Sequence, residues 1–453
     1  TDFYTQEAAE DYLVFGPHEE AWYALARWFL QENDMQKQEK IRKLLHAPYT
    51  RYEGEPISRA VALALYGRHP YGSITRLERF AACAYAHFLQ YGLKLTERET
   101  SAFESVDMGN IYHDVLERFA KGIELSDYTW FDIPEKAQEA LLSQSMEDAI
   151  AGSGIGDVFE DARNSYLLKR MEATAKRTIW ALMLQVRKGK FVPSGFEVSF
   201  SRAERLDAVQ FQLGEDEKMR LRGRIDRVDT YETDDKVYVK IIDYKSGNTT
   251  FSLLNFYYGL QLQLVVYMNA ALELTKKKYK GKDTEPAGIF YYHITDPMVD
   301  ADGQESEEEI RRSILEQLKV GGLVNEDPEI YGAMDTDFSG TSTVIPVALK
   351  ADGSLKATSK TASTYEFGLM SHYVRKKIEH VGKEIFAGNV AVKPYLLGDR
   401  SGCDYCPYHT ICGFDVRMPG FSYQQFEKFD SSEEILAHIR EEIGEPGKNP
   451  DGE

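Results

Sequence analysis

Four cysteines constrain this chain more than any other residues. Cys83 stands alone. Cys403, Cys406 and Cys412 close a C-x2-C-x5-C segment, CDYCPYHTIC, far downstream. Clustered thiols in a protein without other signs of secretion more often bind a metal or an iron–sulfur cluster than pair as disulfides. If Cys83 joins the triad, the site clamps both ends of whatever folds between them. Closing so long a loop contributes heavily to folding. Zinc held by four thiolates and a [4Fe–4S] cluster both suit this ligand set.

Length allows two or three domains, and 43% hydrophobic with 12% aromatic residues is the composition of a folded chain. The first residues, TDFYTQEAAEDY, lack a basic region followed by an apolar one, so no signal peptide is expected. The chain starts with Thr and is expected to be a fragment or a processed form. No apolar run reaches about eighteen residues, so neither a membrane span nor a membrane partner is expected, and the expected location is cytoplasmic. Asp and Glu number 73 against 54 Lys and Arg, giving −19. Such a charge repels nucleic acid, so a DNA role needs a local basic face, a partner protein or metal ions. Acidic runs such as QESEEE (304–309) read as solvated faces. No G-x-x-x-x-G-K-[ST] occurs, so ATP hydrolysis through a phosphate loop is not expected.

Periodicity divides the chain. Residues 1–70 read as helical through AWYALARWFL and IRKLLHAP, with Pro17 near a helix start. Residues 71–190 read as helical again. ITRLERFAACAYAHFLQYGL predicts one amphipathic helix with Cys83 in its middle; GNIYHDVLERFAKGI and 165–189 follow. From 191 the period becomes two, with strands at 196–200, 218–229, 237–245 and 288–294 and a helix at 253–274. Residues 191–300 therefore form an α/β core with a mixed sheet and surrounding helices. Residues 301–390 read as an insertion followed by a helix at 366–388. Residues 391–420 carry the triad and 421–453 an acidic tail, whose end GEPGKNPDGE has a disorder-like composition.

The chemistry lies in the strands. In VYVKIIDYK, Val237, Val239, Ile241, Asp243 and Lys245 share one face, so an acid and an amine emerge beyond three apolar anchors. D-x-K spacing suits metal-assisted phosphodiester cleavage: the carboxylate holds Mg²⁺, and the amine orients or activates water. One such triplet also fits an ordinary surface pair. In KMRLRGRIDRVD, Arg220, Arg222, Arg224 and Asp226 alternate with Leu221, Gly223 and Ile225. An acid thus stands beside three arginines, and Asp226 and Asp243 could share an ion if the strands pair. Gln263 and Tyr267 are four apart on a helix, hence on one face. His113 is a possible metal ligand or a structural histidine, and Glu197 a weaker candidate.

These segments together resemble the RecB-type branch of the PD-(D/E)xK nucleases. The residues that match are Gly109-Asn110-Ile111-Tyr112-His113, Gly223-Arg224-Ile225-Asp226, Ile242-Asp243-Tyr244-Lys245 and Gln263-Leu264-Val265-Val266-Tyr267. The resemblance implies a restriction-endonuclease-like core in which His113, Asp226, Asp243 and the Tyr244 carbonyl bind the metal. Lys245 would be the catalytic lysine, with Gln263 and Tyr267 on the substrate side. One Cys before the core and three after it is the order of the iron–sulfur subgroup, which implies a [4Fe–4S] clamp on Cys83, Cys403, Cys406 and Cys412. ITRLERFAACAYAHFLQYGLKL and GNIYHDVLERF are similar to the C-terminal part of the AddB proteins of bacterial AddAB helicase–nucleases, over roughly residues 70–415. That family implies an AddA-type helicase–nuclease partner in a heterodimer. It also implies single- and double-stranded DNA ends as substrates, and 5′→3′ cleavage of single strands during double-strand break repair. The alternatives are a non-catalytic DNA-end-binding scaffold of such a complex and another iron–sulfur RecB-type nuclease. Intact Asp226, Asp243 and Lys245 argue against the first, and the long stretch between Lys245 and Cys403 against the second.

Overall fold

The computed structural model describes residues 13, 19–31, 34–46, 52, 54–68, 71–96, 105–154, 162–200, 206–214, 216–299 and 305–444. The first helices bounded within the described residues are α1 (Glu20–Leu30), α2 (Met35–His46) and α3 (Arg59–Tyr66). Pro17 lies outside the described residues. A short strand, β1 (Tyr71–Ser73), leads into α4 (Ile74–Ala82), which Ser73 caps by accepting from the Arg76 N–H. The expected single helix through Cys83 is broken there. Cys83 is extended, with φ −168 and ψ 117, and a new turn of helix starts at Ala84. The cysteine thus sits at the end of a helix, not within one.

Long helices α5 (Ser105–Leu125), α6 (Glu135–Ser153) and α7 (Ala162–Arg187) precede the sheet. The strands are β2 (Val192–Phe200), β3 (Gln210–Gln212), β4 (Lys218–Glu232), β5 (Lys236–Lys245), β6 (Asp283–His293), β7 (Gly321–Asn325) and β8 (Thr361–Ala362). With β1 they form an eight-stranded mixed sheet in the order β1-β4-β5-β6-β7-β8, and β2 and β3 also pair with β4. β4 and β5 are antiparallel, with Arg227 opposite Ile242, while β5 and β6 run parallel. Two apolar cores cover the two faces. Val239 and Ile241 enter one, against α4, α9 (Gln263–Lys278) and α12 (Thr364–Ala387). Tyr238, Ile242 and Tyr244 enter the other, against α5 and α7. Both faces of β5 are covered, so all but its two end residues are buried, Lys240 and Asp243 included.

Three expectations are corrected. The helix expected over 253–274 is two helices, α8 (Leu253–Tyr257) and α9, parted at Gly259 with φ +81. The stretch expected as an insertion, 301–390, also supplies β7 and β8 to the main sheet, besides α10 (Glu307–Gln317) and α11 (Pro328–Met334). The expected acidic tail carries a helix, Ser432–Ile443, whose Ile435, Leu436 and Ile439 are buried in the core against α12. Its apolar residues recur at helical spacing, which outweighs the acidic character of the segment. Of GEPGKNPDGE, all but Gly444 lies outside the described residues. Among the described residues no helix is long and apolar enough to cross a membrane.

Candidate active site

The pairing of β4 with β5 brings the two candidate acids together. One step beyond Arg227 and Ile242 the register sets Asp226 across from Asp243. Asp226 Oδ2 accepts the Tyr244 N–H at 2.7 Å. Both acids are buried, Asp226 at 7% exposure and Asp243 at 2%. Burial and then the charge of Asp226 push the Asp243 carboxyl well above the usual range, against the pull of Lys245. The alternation expected along β4 holds from Lys218 to Arg224, whose basic side chains are exposed, and stops at Ile225, beyond which both faces are covered.

Asp243 is held by the residues the sequence singled out. Lys245 Nζ lies 2.5 Å from its Oδ2 as an ion pair. Gln263 Nε2 donates to Asp243 Oδ1 at 2.9 Å and to the Tyr267 hydroxyl at 3.0 Å, and Gln263 Oε1 accepts from Lys245 Nζ at 3.3 Å. The Lys245 ammonium thus neutralises Asp243 Oδ2 at close range, and a divalent cation at this carboxylate would take over part of that role.

On the other side of Asp226 stand His113 and Glu197. His113 Nδ1 is 3.4 Å from Asp226 Oδ1 and 3.6 Å from Glu197 Oε1. One donor atom from each of the three residues falls within 4.8 Å of the others. Burial works against the His113 imidazolium, but hydrogen bonds and charge from Asp226 and Glu197 outweigh it and raise its pKa to about 10. Glu197 is also held by Arg224, Nε to Oε2 at 2.7 Å, and its backbone takes φ +48, a conformation that non-glycine residues avoid. That strain aims the carboxylate between His113 and Arg224. The Tyr244 side chain points into the opposite core, where its ring meets His113 and Tyr292 edge-on. Only its main chain faces the acids, donating to Asp226.

The donor set of two aspartates, a glutamate and a histidine fits a hard divalent ion. Asp226, Glu197 and His113 already bring donor atoms within 4.8 Å of one another, and Asp243 stands across from Asp226 on the next strand.

A fourth acid escaped the sequence reading. Glu78, on α4, accepts the Leu262 and Gln263 N–H groups in its Oε1 at 2.7 and 3.1 Å. Burial raises its pKa to about 7, although those two hydrogen bonds and Lys245 pull it down. Its signal was present: Glu78 follows the buried Leu77 and stands one turn after the buried Ile74, so it lies on the apolar stripe of α4.

The four cysteines meet away from the acids. Cys83, Cys403, Cys406 and Cys412 line one small pocket with Tyr408, His409 and Phe414, and all are free thiols. Burial first, then the neighbouring Cys83, Cys406 and Cys412, raise the Cys403 thiol to about 11. Donors already face the sulfurs. Arg79 Nη2 approaches Cys406 Sγ at 3.4 Å, and the Phe414 N–H approaches Cys412 Sγ at 3.5 Å. The loop bearing the triad reaches α4 closely: a Cβ on Gly402 would stand 2.7 Å from the Ala82 carbonyl oxygen.

A fold with a mixed central sheet, paired acids at adjacent strand positions and a lysine two residues beyond one of them defines a nuclease class. The family model described as the PD-(D/E)XK nuclease superfamily matches residues 72–413, and the chain belongs to that superfamily. Its relatives are more particular. It is 39% identical over 403 residues, 87% of this chain and 34% of the relative, to the B subunit of the ATP-dependent helicase/deoxyribonuclease of Lachnoclostridium phytofermentans. The proteins of the same name from Thermoanaerobacter sp. and Alkaliphilus oremlandii are 34% and 33% identical over 430 and 441 residues, 95% and 97% of this chain and 37% and 38% of theirs. The chain spans little more than about a third of the length of these relatives.

Proposed function

We propose that this chain is the nuclease-bearing part of the B subunit of an ATP-dependent helicase–nuclease and that it hydrolyses single-stranded DNA in a Mg²⁺-dependent reaction. The carrying observation is the pair of buried carboxylates, Asp226 and Asp243, set opposite each other on adjacent strands with Lys245 against Asp243. Asp226, Asp243, Glu197 and His113 would hold the ion, with the Tyr244 carbonyl beside them. A bound Mg²⁺ supplies charge against the phosphate and lowers the pKa of water. Lys245 orients the attacking water and offsets phosphate charge. Gln263 holds Lys245 and Asp243 in register, and Tyr267 buttresses Gln263. In the reaction a water oxygen bonds to phosphorus and the phosphorus bond to the leaving sugar oxygen breaks. The exposed Arg220, Arg222 and Arg224 give an acidic chain its local basic face toward the DNA backbone.

The names of the relatives support a partner that supplies the motor, here an AddA-type helicase–nuclease protein in a cytoplasmic heterodimer acting on double-strand DNA ends. The polarity is 5′→3′. The cysteine centre is a [4Fe–4S] clamp. The four cysteines around one pocket support a four-thiolate centre.

The test is digestion of single-stranded DNA labelled at its 5′ or 3′ end by the full-length complex, its partner's nuclease inactivated. Early release of short 5′-labelled products supports the reading; early release from the 3′ end, or none from either, contradicts it. Iron and sulfide in the preparation, with broad visible absorbance, support the cluster; a colourless zinc-loaded protein removes it.

A further inference from the structure

One helix touches both centres. On α4, Glu78 and Arg79 are neighbours: Glu78 reaches the start of α9, and Arg79 reaches Cys406. Cys83 ends the helix. The last turn of α4 is also enclosed by backbone from both directions. Gly402 of the triad loop abuts Ala82, and a Cβ on Gly259, in the bend before α9, would meet the Ala81 Cβ at 3.3 Å.

The start of α9 has no cap of its own. Leu262 at the cap position has helical backbone angles and makes no side-chain cap hydrogen bond. The Glu78 carboxylate, from a helix remote in sequence, takes the N–H groups of Leu262 and Gln263 instead. Gln263 is the first residue of α9, and its side chain holds Asp243, Lys245 and Tyr267. A displacement at this terminus therefore moves the amide that fixes the acid and the lysine.

We infer that Glu78 is a positioning residue for phosphodiester cleavage, and that α4 makes the geometry of the nuclease site depend on the cysteine centre. The inference rests on the nuclease reading of Asp243, Lys245 and Gln263. Glu78 touches neither substrate nor ion; it acts through Gln263.

The experiment uses the full-length chain with its partner protein, the partner's own nuclease inactivated. Steady-state cleavage of single-stranded DNA is measured for Glu78→Gln, Glu78→Ala, Gln263→Ala and the double variant Glu78→Ala/Gln263→Ala. Glu78→Ala is expected to lower kcat roughly ten- to a hundredfold, the scale of a small misplacement of reacting groups. KM and iron content should stay within about twofold. Glu78→Gln, which keeps an oxygen acceptor for the two N–H groups, is expected to restore most of the rate. The double variant should be no slower than Gln263→Ala. Hydrogen exchange at Leu262 and Gln263 should quicken in Glu78→Ala. Equal inactivity of Glu78→Gln and Glu78→Ala would give the carboxylate a direct chemical role and overturn the positioning role. So would unchanged kcat or unchanged exchange in Glu78→Ala.

Arg79→Ala tests the link to the cysteines without removing a thiol. It is expected to quicken exchange at Leu262 and Gln263, and no change there would disconnect the two centres. If Asp243→Ala and Gln263→Ala both leave cleavage intact, the nuclease reading fails. The exchange measurements still report whether α4 holds the start of α9.

Discussion

In the proposed reaction the chemistry turns on Asp243. It is buried, and Lys245, Gln263 and Asp226 surround it. Replacing Lys245 by Ala should slow cleavage roughly a hundredfold or more while leaving single-stranded DNA binding nearly unchanged, checked by single-turnover rates beside fluorescence anisotropy. Glu197 is held in a strained backbone conformation between His113 and Arg224. Glu197→Gln should weaken Mn²⁺ binding roughly 10- to 100-fold, measured by titration calorimetry. An unchanged affinity would leave Glu197 as a partner of Arg224 only. Glu78 gives a pH signature. Its folded pKa of about 7 lies above the ordinary 4.5, so the folded state binds its proton more tightly than the unfolded state does. Its contribution favours folding at the acid end and is withdrawn as pH rises from 4.5 to about 7. Glu78→Gln, which cannot ionise, should therefore gain on the wild type over that window, by on the order of 3 kcal/mol in denaturant titrations. The acids and the lysine of β4 and β5 were legible because a strand repeats every two residues. Glu78 showed in the sequence only as an acid on the apolar stripe of α4; its partners lie on a helix far along the chain, and no periodicity reports them.

Two breaks in helices matter more at the next scale than the helices themselves. Sequence periodicity runs straight through Cys83, yet the chain is extended there, so helical spacing alone hid the turn that presents the sulfur. The second break, at Gly259, places Gln263 at the first position of α9 rather than in mid-helix. The glycine was visible in the sequence, but an isolated glycine is tolerated within helices, so the apolar run prevailed. Gln263 and Tyr267 still meet as their four-residue spacing predicts. Gly259→Ala combines φ +81 with a close contact to Ala81. It should cost about 1–2 kcal/mol in thermal or denaturant unfolding and slow cleavage by moving Gln263. Unchanged stability and rate would mean that the bend does not set the position of α9. The helix near the C-terminus was legible in principle, since Ile435, Leu436 and Ile439 mark its buried face. Attention to its charge concealed it.

Across the whole molecule, the mixed sheet separates two cores and carries the acids and lysine side by side, Asp226 in mid-β4 and Asp243 and Lys245 near the end of β5. Its order could not be read from sequence, because β1 pairs with β4 across the helical region and β7 and β8 return from a stretch that looks like an insertion. A buried charge network stiffens the same two strands. Arg227 makes two hydrogen bonds to Asp229, and Lys240 reaches Asp229 at 3.2 Å. Burial works to raise the Asp229 carboxyl, but Arg227 and Lys240 hold it below the ordinary range. Asp229→Asn leaves two buried cations facing each other and should destabilise the fold by about 3–5 kcal/mol in denaturant titrations. A loss under about 1 kcal/mol would show that water enters this core.

The most direct measurement is the Mg²⁺ dependence of single-stranded DNA cleavage by the full-length complex, with the partner's nuclease inactivated and Asp243 either present or replaced by Ala. Cleavage that rises and saturates with Mg²⁺ in the wild type, and falls to background in Asp243→Ala at every Mg²⁺ concentration, is the predicted result. Equal cleavage by the two proteins would contradict the account, because the reacting phosphate would then lie somewhere other than beside Asp243.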